Sequence, residues 1–132
     1  MLLEGHGLSL SYKGGGNSQL RRRYDFANFP GDIDTFATVS DGPIRDFNVI
    51  ADRSIFKPDV SVVQSGDSFR ILPNTQIATV YSAEHDVVVE APNKHSTSLL
   101  SGNLLVIDHP IEGDWNIHGS TSIVVRLDAR SQ

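Results

Sequence analysis

The sequence contains no cysteine, which excludes a disulfide framework and thiolate chemistry. No apolar run approaches the ~20 residues that a membrane helix needs. The N-terminus lacks the charged and apolar regions of a signal peptide. A cytoplasmic protein is therefore the expectation. Positive charge is also short: 11 Lys and Arg stand against 16 Asp and Glu, a net charge of -5. That balance argues against a nucleic-acid or anionic-membrane partner. The one basic cluster, Arg21-Arg22-Arg23 between Leu20 and Tyr24, reads as a solvated strand or loop. Also missing is helical periodicity, because no long window keeps apolar residues at 3.6 spacing.

What is present instead is a succession of short alternating runs bounded by Gly, Pro, Asn and Asp. This is the pattern of an all-β sandwich or barrel. Strands are expected at about 2–12, 19–25, 35–40 and 44–50, then an irregular connection over 51–57. Further strands are expected at about 60–63, 69–72, 76–82, 87–90, 104–108, 115–118 and 122–127, with 91–97 as a loop. Lys13-Gly14-Gly15-Gly16-Asn17-Ser18 reads as a hairpin loop. It lacks P-loop spacing and no helix follows it. A chain of 132 residues makes one domain or two small ones and can bury a core.

The run Gly42-Pro43-Ile44-Arg45-Asp46-Phe47-Asn48-Val49-Ile50 mixes apolar and polar residues on both faces of a strand. A strand so patterned is expected to be covered on both sides, with its polar groups hydrogen-bonded. Pro110-Ile111-Glu112-Gly113-Asp114-Trp115-Asn116-Ile117 echoes it: both read Pro-Ile, then Asp, an aromatic, Asn and an aliphatic. Two weaker matches fall in the same order, Glu4 to Leu8 with Glu84 to Val87 and Gly31-Asp32 with Gly102-Asn103. Together they point to duplication of a β unit.

These residues resemble the HutD/Ves family of double-barrel proteins. Leu2-Leu3-Glu4-Gly5-His6-Gly7-Leu8-Ser9-Leu10 resembles a strand of its first barrel. Phe29-Pro30-Gly31-Asp32 resembles its Pro-Gly-Asp turn. Gly42 to Ile50 resembles its most specific signature here. The resemblance is strong over 2–53 and is one of pattern over 57–132. It implies an all-β, cupin-like jelly roll of two tandem barrels (a bicupin), with 1–56 the remainder of an incomplete first barrel and 57–132 the second. The family's Trp-Lys-Asn-Gly-Gly-Gly segment does not precede Met1. Its absence leaves sheet edges that would favour strand exchange or a homodimer. The function implied is that of a protein of histidine utilisation, regulatory rather than catalytic. Such a protein would bind a small carboxylate such as a formylated or glutamate-like intermediate, without metal or other cofactor.

The chemistry offers few rivals. The histidines are His6, His85, His95, His109 and His118, and no His-x-His pair is among them. A metal held by His6, His85 and a distant carboxylate is weaker than their reading as loop histidines. No Ser sits in a Gly-x-Ser-x-Gly elbow, and no catalytic residue is assigned. Asp32 and Asp41 suit turns. Arg45 can grip a carboxylate bidentately, with Asp46 and Asn48 orienting it, and His6 is a further candidate for the ligand site. The alternative makes Arg45 a surface ion pair and ties loops through Asp46 and Asn48. An isomerase or hydrolase of cupin type, or an interaction module without ligand, are the competing functions.

Overall fold

Every regular element among the described residues of the computed structural model, 1–131, is a β-strand, and all strand pairs are antiparallel. The all-β expectation holds. Among the described residues, no helix is long and apolar enough to cross a membrane. The chain divides into two compact units, Met1–Ile50 and Ala51–Gln132. The division falls after Ile50 where the sequence suggested 56. Residues past Ile50 fold back onto the second unit's own strands: Phe56 donates to the Asp52 carbonyl, and Arg130 to that of Ile55.

In the first unit, β1 (Leu2–Glu4) pairs with β5 (Arg45–Asp46). A separate sheet runs in the order β3 (Asn17–Leu20), β2 (Leu8–Tyr12), β4 (Thr35–Val39). Period two in β2 turns Leu8, Leu10 and Tyr12 to one side. There Leu2, Leu8, Leu10 and Leu20 are buried together, with Tyr12, Ala27 and Ile44 packed against them. Each buried leucine contributes about 1.5–3 kcal/mol. The glycine loop closes the β2–β3 hairpin as expected, with the Tyr12 N–H on the Gly16 carbonyl.

The expected strand at 19–25 stops at Leu20, because a turn is stronger there. The Asp25 carboxylate accepts the backbone N–H groups of Arg21 and Arg22, both at 2.9 Å. The Arg22 and Arg21 amides hold its carboxyl below the ordinary 3.8. A depressed carboxyl supports the fold fully above its unfolded value and loses that support as pH falls through the lower folded one. Asp25→Asn should therefore lower the melting temperature at pH 7. The gap to the unmodified protein should close below about pH 3.8, as thermal melts across pH 2–7 can check.

Among the described residues the second unit holds eight strands: β6 (Phe56–Val63), β7 (Ser68–Ile71), β8 (Thr75–Ser82), β9 (Val87–Glu90), β10 (Ser96–Leu99), β11 (Leu104–Asp108), β12 (Gly113–His118) and β13 (Ser122–Ala129). They form two sheets, β11-β8-β13-β6 and β10-β9-β12-β7. The first strand lies beside the last, and the chain crosses repeatedly between sheets, which is jelly-roll topology. Ile71, Val89, Trp115 and Ile117 from one sheet meet Ala78, Val80 and Val124 from the other. Phe69 and Trp115 stack with centroids 6.1 Å apart, and the indole N–H donates to the Ile111 carbonyl. β10 begins inside the stretch 91–97, where a loop was expected. Its Ser96-Thr97-Ser98 run lacks apolar alternation because it is an exposed edge strand. Pro58 is tolerated inside β6 because β6 is also an edge.

Candidate functional site

The β1–β5 pair assembles the residues that the sequence singled out. Leu2 stands opposite Asp46, and Glu4 opposite Arg45. Arg45 Nη1 lies 2.8 Å from Glu4 Oε1, with both side chains more than half exposed. The Phe47 N–H donates to the Met1 carbonyl at 2.8 Å, extending the pairing. His6 is exposed in the turn that leaves β1. The preceding Gly5 has φ +107 and lies so close to β5 that a Cβ would stand 2.7 Å from Ile44 Cγ2 and 2.9 Å from the Pro43 carbonyl oxygen. That approach brings the His6 turn against the chain segment carrying Arg45.

The covering expected for this stretch is not found. The strand is two residues long rather than seven, Arg45, Asp46 and Asn48 are exposed, and only Ile44, Phe47 and Val49 are half-buried. A two-stranded ladder offers β5 one neighbour, so one flank of the stretch stays open to solvent. The echoed stretch at Pro110 plays a different part, since β12 is a six-residue strand with neighbours on both sides.

A second polar constellation lies inside the jelly roll, and the sequence reading missed it. Arg126 and Asp128 on β13 share the inward face with Val124, and their side chains are 16% and 8% exposed. Arg126 Nη1 donates to the Arg70 carbonyl at 2.6 Å. Its Nη2 stands 3.3 Å from Asp128 Oδ2 and 3.5 Å from Asp59 Oδ2. Thr75 Oγ1 donates to Asp128 Oδ1 at 2.6 Å. Arg126, Arg70 and Asp59 border an open cleft of about 390 Å³ lined also by Ser61, Asp67 and Phe69. The signal was present in Val124-Val125-Arg126-Leu127-Asp128. Two opposite charges, two apart in an apolar strand, must share a face, and a buried charge needs a partner. No three His, Cys, Asp or Glu side chains among the described residues come together to hold a metal.

A sequence model described as HutD matches residues 1–125. The chain belongs to the HutD family. Its fold is that of HutD from Pseudomonas fluorescens SBW25, solved in a formate condition: the TM-score is 0.79 at 22% identity, covering 99% of this chain and 67% of that one. A conserved protein of unknown function from Pseudomonas aeruginosa PAO1 gives a TM-score of 0.80 at 22% identity, covering 98% of this chain and 70% of its own. At that identity the likeness to these two structures concerns the fold. No curated protein matches the sequence.

Proposed function

We propose that this HutD-family chain binds a small carboxylate of histidine utilisation, such as a formylated or glutamate-like intermediate, and acts as a regulator of that pathway. Arg45 is the anchor in this reading, with Asp46, Asn48 and His6 orienting the ligand. The observation that carries it is the state of Arg45: a guanidinium on a solvent-facing strand, holding a carboxylate that is itself exposed. Exposed pairs of this kind add little net stability. A ligand carboxylate can therefore take the place of Glu4 at small cost, with the fork geometry that arginine favours. Formate, named in the condition of the Pseudomonas fluorescens structure, is the smallest carboxylate. A bicupin arrangement of the two units belongs to the same reading.

Thermal-shift assays with formate, L-glutamate and N-formyl-L-glutamate test it. At least one should raise the melting temperature of the unmodified protein, and Arg45→Ala should abolish the rise. The substitution should change ligand-free stability by less than about 0.5 kcal/mol, as for other exposed positions. A large loss of ligand-free stability would make Arg45 a structural residue instead.

A further inference from the structure

We infer that the jelly-roll cleft beside Arg126 is a second, separate binding site, and that it takes a zwitterionic α-amino acid. The first argument is the state of the arginine. A guanidinium carries five N–H donors. Arg126 commits one to the Arg70 carbonyl. Its Nε is buried without a partner. The two carboxylates reach only Nη2, at 3.3 and 3.5 Å, distances of ion pairing rather than of short charge-assisted hydrogen bonds. A largely buried cation with so few well-formed bonds is poorly satisfied by its own protein and gains from a further acceptor.

The second argument is that the two aspartates are held differently. Asp128 is buried and fixed by the Thr75 hydroxyl. Asp59 sits on the edge strand β6 with its side chain 55% exposed. Asp59 can thus swing away from Nη2 while Asp128 cannot. A ligand carboxylate entering the cleft takes the place that Asp59 leaves.

The third argument is charge. Arg70 is matched by Asp114 at 3.2 Å. That leaves Arg126 with Asp59 and Asp67 on the cleft wall and the buried Asp128 beside it on β13. A ligand with net negative charge meets this excess of carboxylates, and a simple cation leaves the Arg126 donors unused. A molecule with a carboxylate and an ammonium on one carbon answers both. The carboxylate meets Arg126, and the ammonium meets the displaced Asp59 with Asp67 nearby. The cleft, at about 390 Å³, falls in the size range of small-molecule sites.

The test is an amide-resolved NMR titration of the intact chain with glycine and L-alanine, with sodium acetate and methylammonium chloride as single-charge probes. The expected result is saturable shifts on β6 and β13 around Asp59, Ser61 and Arg126. Glycine or L-alanine should bind at least roughly ten-fold more tightly than either single-charge probe, a difference of about 1.4 kcal/mol. Asp59→Asn should weaken amino-acid binding at least roughly ten-fold with the remaining spectrum unchanged. Should that variant lose its folded spectrum, Asp67→Asn is expected to weaken binding as well. Acetate binding as tightly as glycine overturns the zwitterion assignment. No saturable shift at β6 and β13 from either amino acid at roughly 50 mM, far above useful affinities, overturns the site. Shifts confined to β1 and β5 belong to the Arg45 site and count against this one.

Discussion

Asp128→Ala should destabilise the second unit by about 3–5 kcal/mol, because it strands a buried guanidinium. Asp128 is one of two carboxylates near Arg126 and the buried one, tied to Thr75 by a 2.6 Å hydrogen bond. With it gone, Arg126 keeps the Arg70 carbonyl and the more distant, solvent-exposed Asp59. Thr75 loses its acceptor too. The double change Arg126→Met with Asp128→Leu should behave differently. It removes both charges and fills similar volume, and such replacements are often near neutral. Urea denaturation of the single and double variants measures the contrast. A double variant as unstable as Asp128→Ala would show that packing, not the unpaired charge, sets the cost.

Gly5→Ala should be the most damaging small change in the first unit. Gly5 has φ +107, and an added Cβ would meet Ile44 Cγ2 at 2.7 Å and the Pro43 carbonyl oxygen at 2.9 Å. The backbone conformation alone costs about 1–3 kcal/mol for a residue with a side chain. The contact with the Pro43 carbonyl cannot be relieved by a rotamer change, because the atom is backbone. The expected outcome is a shift of Pro43–Ile44 away from β1, loosening the Glu4–Arg45 pair. Gly5→Ala should lower the melting temperature and also remove the carboxylate-induced stabilisation, whereas Arg45→Ala should remove the second alone. Melting curves with and without ligand separate the two.

The legible part of the fold was what period two controls. Val87-Val88-Val89, Phe69 to Ile71 and Ser122 to Leu127 alternate or run apolar, and each became a strand near its expected bounds. Edges were harder, because an edge strand has fewer neighbours to impose a pattern. Ser96 and Thr97, the start of β10, read as the end of a loop for that reason. The stretch at Gly42 to Ile50 carries the resemblance to the HutD family, and the chain does belong to that family. Its burial was misjudged. Mixed faces suggested covering on both sides, yet a two-residue strand in a two-stranded sheet leaves Arg45, Asp46 and Asn48 exposed. Arg126 and Asp128 carried the converse signal, a charge pair in an apolar strand. Their partners Asp59 and Thr75 lie more than fifty positions away in sequence. Only the β6–β13 and β8–β13 pairings bring them together.

The central claim, that this HutD-family chain binds a small carboxylate through Arg45, is tested most directly by calorimetric titration. The intact protein is titrated with N-formyl-L-glutamate and formate, and with formamide as the uncharged counterpart of formate. Saturable binding of a carboxylate is predicted, weakened by added salt and absent for formamide and for Arg45→Ala. Equal binding of formamide, or undiminished binding by Arg45→Ala, would contradict it.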